Sequence, residues 1–390
     1  MTQNSKDRLA ETGESTGVEP VANVRSVYAG EVQPRLAIST FRNIDRLFPS
    51  SIVESSKTPA PLESRPVALN GLRFESRGSE YGLQDYLSLN RIAGLMALKD
   101  GKVAMEEYYF GNNEQTRWMS MSVAKSVSST LVGAAIQDGL IGGVQDLLTE
   151  YLPELKGSGY DQVSVKHLLQ MTSGVRWDDS PTNPDSERRK MLELQIAQQP
   201  GAIMHYVASL PSIARPGTVW NYSTGETHVV GALLRAATGR SVADYLSRKI
   251  WARIGTEADA TWWLDAPAGL EVAGSGISAT LRDYARFGQF ILDDGVISGE
   301  RVLPENWVAE SGSPREIGGQ SVDYGFMWWP VPAGSENVGA FSARGLFGQY
   351  IYINPLERVV IVVWSARSKP LDAEVVEDDD FFNAAVEALK

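Results

Sequence analysis

Apolar and β-favouring residues run from Ile92 to Leu98 and again from Val103 to Tyr109, joined by Lys99-Asp100-Gly101-Lys102. Asp-Gly is the pair that a tight primed turn prefers, so this pattern predicts a β-hairpin. A second hairpin is predicted far along the chain, from Gln349 to Ile353 and Arg358 to Trp364 around Asn354-Pro355-Leu356-Glu357. Between the two hairpins the spacing of apolar positions turns helical. It predicts helices over Ala124 to Gln137, Val165 to Gln170, Thr227 to Thr238, Val242 to Arg253 and Leu281 to Asp293. Phe381 to Leu389 predicts a last helix, whose amino terminus the acidic run Glu377-Asp378-Asp379-Asp380 would cap from the solvent side.

Strands, a long helical insertion, strands and a closing helix together predict an α+β protein. An antiparallel sheet flanked by helices would be completed by the two distant hairpins, the helical middle would form a second lobe, and a cleft would lie between them. Residues 1–84 read as an amino-terminal tail and wrapping segment, polar through Pro20 and without an apolar stretch fit to be a signal-peptide core. Residues 85–120 and 275–390 read as the sheet-bearing lobe and 121–274 as the helical lobe.

Composition narrows the chemistry. The 390 residues carry 36 Lys+Arg against 48 Asp+Glu, a formal charge of −12, which with no long basic run argues against a nucleic-acid partner. The longest aliphatic run, Val359 to Trp364, is far below the ~20 residues of a spanning helix, so no membrane partner is expected. The absence of cysteine removes thiol nucleophiles, thiolate metal sites and disulfides, and fits a reducing cytoplasm. The only three histidines are His167, His205 and His228. No metal or other cofactor is expected. His167 and His228 read as hydrogen-bonded structural residues, and His205 has no evident acid partner.

A nucleophile must therefore be found elsewhere. The one Gly-x-Ser-x-Gly match, Gly13 to Gly17, sits in the polar tail without the strand and helix that a nucleophile elbow needs. Ser122-Val123-Ala124-Lys125 instead opens an apolar, small-residue helix. Residues i and i+3 share a helix face, so the Lys125 amine can reach the Ser122 hydroxyl. Burial would lower the amine's pKa and let it accept the proton, and free N–H groups at the helix start favour an oxyanion. Tyr222, in the loop before an amphipathic helix, can act as phenolate or proton relay. Arg344-Gly345-Leu346 enters the strand at Gln349, where a backbone N–H could complete an oxyanion hole.

Ser122-x-x-Lys125, Tyr222 and the Gly-rich strand entry, in that order, resemble the three motifs of serine β-lactamase-like hydrolases, of the class C branch with its family VIII carboxylesterases. His167 to Gly174, Gly274 to Ser278, Leu281 to Gly288 and Tyr324 to Trp329 match as well. Met121-Ser122-Val123, Thr149 to Leu155 and Gly348-Gln349 are most similar to the 6-aminohexanoate-dimer (nylon oligomer) hydrolase group. The resemblance covers about residues 85 to 390. It implies a β-lactamase and penicillin-binding-protein-like fold, Ser122 as acylated nucleophile, Lys125 as base and Tyr222 as proton relay. It also implies backbone N–H groups of Ser122 and Leu346 as the oxyanion hole, and suggests a homodimer.

Departures bear on the substrate. Tyr222-Ser223-Thr224 stands where that family has Tyr-x-Asn, and Ala343-Arg344-Gly345 where it has Lys-Thr-Gly or His-Thr-Gly, which argues against efficient β-lactam turnover. Arg344 is a candidate for holding a carboxylate, Gly345 for lining the substrate site, and Trp177, Trp328 and Trp329 for an apolar acyl pocket. The stretch near 175–199 resembles the lid loop over the cleft in nylon-oligomer hydrolases, and the place of the lid tyrosine that helps an amine depart there falls near Pro181, with no tyrosine beside it. The expectation is a hydrolase of small carboxylic esters, with amide cleavage of ω-amino-acid oligomers or D-amino-acid peptides as the rival. A catalytically silent scaffold is the reading from another class.

Overall fold

The computed structural model describes residues 18–390, so the polar tail through residue 17 and the Gly13 to Gly17 motif lie outside the described residues. Both predicted hairpins form, and they join. Val359–Ser365 pairs antiparallel with Ile92–Lys99, with Ile361 opposite Ala97 and Trp364 opposite Gly94. The resulting antiparallel sheet has six strands in the order Trp329–Pro330, Phe341–Gly345, Gln349–Asn354, Val359–Ser365, Ile92–Lys99 and Lys102–Tyr108.

Strand alternation gives this sheet two apolar faces. Met96, Leu98, Val360 and Val362 join the main core with Leu281, Phe287 and Ile291 of the helix Leu281–Leu292. Leu95, Ala97, Ile361 and Val363 turn the other way, onto Phe381, Phe382 and Val386 of the closing helix Asp378–Ala388. Gly288 permits the first contact, because a β-carbon there would stand 2.5 Å from a Val360 methyl. The chain thus has the expected α+β architecture, with helices on both sides of an antiparallel sheet. No helix among the described residues is long and apolar enough to cross a membrane.

The structure adds a second sheet that the apolar pattern does not predict. Ser50–Val53, Ala260–Trp263, Ile277–Thr280 and Arg117–Met119 form four antiparallel strands. Its first strand comes from the amino-terminal segment, which also carries the helices Val24–Ala29 and Pro34–Arg42. The acidic run before the last helix is also more than a solvated cap. Asp378 is buried and accepts from Arg367 Nη2 at 2.6 and 2.7 Å and from the Tyr86 hydroxyl at 2.9 Å.

Candidate active site

The second sheet delivers the nucleophile candidate. After Met119 the chain is pinned by Ser120 N donating to Ile277 O at 2.7 Å and Ile277 N donating to Ser120 Oγ at 3.1 Å. Met121 then takes a φ of 42°, a left-handed conformation that costs a non-glycine residue energy, and Ser122 caps the helix Val123–Gln137. This helix runs through the core, and its hydroxyls find carbonyls there. Ser126, Ser128 and Ser129 donate to Met327, Ala273 and Phe326 at 2.6, 2.7 and 2.5 Å. Small hydroxyl residues let neighbouring chain come close while leaving few buried polar groups unsatisfied.

Lys125 lies one helical turn on, as its spacing predicts. Its Nζ is 3.0 Å from Ser122 Oγ and 3.0 Å from the Gly274 carbonyl it donates to, with no carboxylate in ion-pairing range among the described residues. Burial is the main cause that brings its pKa down to about 7; Arg188 pushes the same way and Asp179 opposes. The Tyr222 ring lies 5.2 Å from Nζ. Burial, with a further push from Asp179, raises its phenol above the ordinary range, so the ring is a neutral hydroxyl near pH 7 rather than a phenolate. Asn221 fixes the loop by donating to Trp177 O at 3.0 Å, and Ser223 caps the next helix, Thr224–Thr238, by accepting from Glu226 N.

Gly345 closes the third side. A β-carbon there would stand 2.5 Å from Ser120 O and 3.1 Å from Ser122 N, so only glycine lets this strand end lie against the backbone of the nucleophile candidate. The backbone N–H groups of Ser122 and Leu346 have no protein acceptor among the described residues. Ser122, Lys125, Tyr222, Trp329, Arg344, Gly345 and Leu346 line one cavity of about 540 Å³.

Other expected residues stand elsewhere. Trp177 is buried behind the wall, where its Nε1 donates to Asp179 Oδ1 at 2.6 Å and its ring packs on Gly225; it positions Asp179 instead of lining the cavity. Trp328 is a core residue, edge-on to Phe341. Arg344 is already engaged, with Asp379 at 3.2 Å and Ser342 Oγ at 2.8 Å. His167 Nδ1 does accept a hydrogen bond, from Ser164 N at 3.2 Å. His228 does not: its Nε2 is 3.8 Å from Asp265 Oδ2 and neither ring nitrogen has a hydrogen-bond partner among the described residues, and burial takes its pKa down to about 4. His205 is exposed and lies off the cavity.

The cavity also holds residues that the sequence reading passed over. Asp179 and Arg188 reach it from the segment 175–199, and Tyr28 from the amino-terminal segment. Asp179 and Arg188 belong to the segment likened to a lid and Gly274 to a stretch matched to the family, which were the available signals for them; Tyr28 carries none.

A family model described as Beta-lactamase matches residues 90–384. The chain is 30% identical to the 6-aminohexanoate-dimer hydrolase of Paenarthrobacter ureafaciens over 348 residues, 85% of each chain. A Bacillus anthracis protein proposed to be a 6-aminohexanoate-dimer hydrolase superposes with a TM-score of 0.82 at 23% identity, over 95% of this chain and 98% of that one. A family VIII carboxylesterase superposes with a TM-score of 0.56 at 17% identity, over 76% of this chain and 91% of that one.

Proposed function

The chain belongs to the beta-lactamase family, and from that premise we propose that it is a serine hydrolase cleaving small carboxylic esters through an acyl-enzyme on Ser122. The observation that carries this reading is the 3.0 Å approach of Ser122 Oγ to a Lys125 amine that burial brings down to about 7. A neutral Lys125 takes the Ser122 proton as Oγ attacks the ester carbonyl. The oxyanion forms between the free N–H groups of Ser122 and Leu346. The proton passes by way of the neutral Tyr222 hydroxyl to the departing alkoxide, leaving acyl-Ser122 and an alcohol. Water then repeats the path in the deacylation step, releasing the carboxylic acid and restoring the serine.

Ester cleavage is favoured over amide cleavage because an alkoxide leaves with less proton assistance than an amine, and no tyrosine stands beside Pro181, near which the resemblance places the lid tyrosine that would give that assistance. The second reading, an amide hydrolase, is favoured by the 30% identity to a 6-aminohexanoate-dimer hydrolase. Faster turnover of the amide in matched ester and amide pairs would reverse the ranking. The test of the common mechanism is Ser122→Ala. Hydrolysis of p-nitrophenyl esters should fall by about three or more orders of magnitude while the circular dichroism spectrum is kept. A fluorophosphonate should add its mass to Ser122 of the unaltered protein. Full activity of the variant, or no labelling, overturns the assignment.

A further inference from the structure

Most charges around the cavity are spoken for. Arg367 pairs with Asp378 at 2.6 Å and Glu374 at 3.3 Å, Arg344 with Asp379 at 3.2 Å, and Arg77 with Glu374 and Glu377. Arg188 differs. It lines the cavity and is 5% exposed, yet among the described residues its guanidinium has neither a carboxylate in ion-pairing range nor a hydrogen-bond acceptor. Its neighbours in the same segment have partners for their guanidinium termini: Arg176 pairs with Glu187, and Arg189 donates from Nη1 to Pro181 O, although the buried Arg189 Nε has none among the described residues. Its guanidinium lies over the Tyr28 ring, 4.3 Å from the ring centre, a contact that uses no hydrogen-bond acceptor. Asp179, on the same wall, has one oxygen occupied by Trp177 Nε1 and Thr224 N.

Arg188 is also firmly mounted. It lies in the first turn of the helix Glu187–Ala197, which Ser186 caps, and its N–H donates to Asp178 O at 3.1 Å. Its charge is felt at both Lys125 and Tyr222, so it stands near the reacting atoms. An enclosed cation without an anion is costly, and the guanidinium fork matches a carboxylate in shape and charge. We propose that Arg188 is the recognition site for a free carboxylate on the substrate, so that the enzyme prefers esters bearing an anionic group. The inference rests on the ester-hydrolase reading and deepens it by naming the substrate class.

The carboxylate can belong to the acyl part or to the leaving group, and two substrate pairs separate these. Mono-(4-nitrophenyl) glutarate is compared with 4-nitrophenyl pentanoate, and 4-(butanoyloxy)benzoate with its methyl ester. The unaltered enzyme should show the higher kcat/KM for the anionic member of one pair. In Arg188→Gln that ratio should fall about tenfold to hundredfold, with part of it kept in Arg188→Lys. The ratio is the proper readout because loss of the guanidinium also relieves Lys125, and that acts on both members of a pair. Binding of glutarate to Ser122→Ala by titration calorimetry should be lost when Arg188→Gln is added. No anionic preference in the unaltered enzyme, or ratios unchanged in the variants because Arg188 only clamps Tyr28, overturns the proposal. If no ester is hydrolysed, the function reading fails, while glutarate binding to Ser122→Ala still decides the role of Arg188.

Discussion

At the scale of single residues, the proposed chemistry turns on a lysine deprived of its usual surroundings. With its pKa at about 7 instead of 10.5, Lys125 changes protonation near neutrality, and only its neutral form can accept the Ser122 proton. The expected outcome is a kcat/KM for a neutral ester that rises as pH climbs through about 7 and then levels. A pH-rate profile checks this; a rise centred near 10, as for an ordinary lysine, would contradict it. Stability moves in the same direction. Between about 7 and 10.5 the unfolded chain holds a proton on this lysine that the folded chain lacks, so folding gains as pH rises through that window. Ser122, Lys125 and Tyr222 were legible because a fixed spacing and a chain order mark them. Arg188 was not, since Ser186-Glu187-Arg188-Arg189 reads like any solvated helix start and only the fold turns one arginine inward. Trp177 misled for a related reason: a tryptophan's side chain signals burial, not which cavity it faces.

At the scale of elements, the helix Val123–Gln137 shows what the apolar pattern holds and what it lacks. Its bounds follow from the run of small and aliphatic residues, and the predicted start is one residue late. The helix Glu187–Ala197 escaped notice because its Arg, Lys, Glu and Gln positions give no clear apolar stripe. The strands Arg117–Met119, Ala260–Trp263 and Ile277–Thr280 are three or four residues long, too short for a period of two to declare itself. The predicted helix Val242 to Arg253 is Val242–Leu246 followed by a wider turn over Ser247–Trp251, a change of hydrogen-bonding that side-chain pattern does not encode. Gly133 gives the element-scale prediction. In an exposed helix, Gly→Ala stabilises by about 1 kcal/mol. Here a β-carbon would stand 2.5 Å from the buried Trp307 ring, so the sign should reverse. Gly133→Ala is expected to destabilise by about 1 to 3 kcal/mol in urea denaturation, and Trp307→Phe in the same chain should recover part of the loss. A neutral or stabilised Gly133→Ala would mean the helix has room that this packing denies.

For the whole molecule, the amino-terminal segment is structural material of the site. The family match begins at residue 90, yet Tyr28 lines the cavity beneath Arg188, Arg25 pairs with Glu193 of the helix that carries Arg188, and Ser50–Val53 extends the sheet leading to Ser122. Phe41 ties this segment to both sheets, through Trp118 of the four-stranded one and Phe347 in the turn between two strands of the six-stranded one. It is 1% exposed, edge-on to Trp118 with ring centres 5.8 Å apart, and 4.9 Å from Phe347, which follows the oxyanion-hole candidate Leu346. Trp263 adds a bond across the same boundary, Nε1 donating to Ile44 O at 2.7 Å. A segment that only draped the surface would tolerate truncation of such a side chain at almost no cost. Removing a buried phenyl ring from a packed core instead costs about 3 to 5 kcal/mol, because the lost transfer energy is joined by that of the cavity left behind. Phe41→Ala is therefore expected to lose about that much stability in urea denaturation. Its hydrolase activity should also fall before global unfolding, as the Phe347 and Trp118 supports of Leu346 and Ser122 loosen. Coincident loss of activity and of tryptophan fluorescence would place the segment in the fold without a part in holding the site, and an unchanged midpoint would remove it from both.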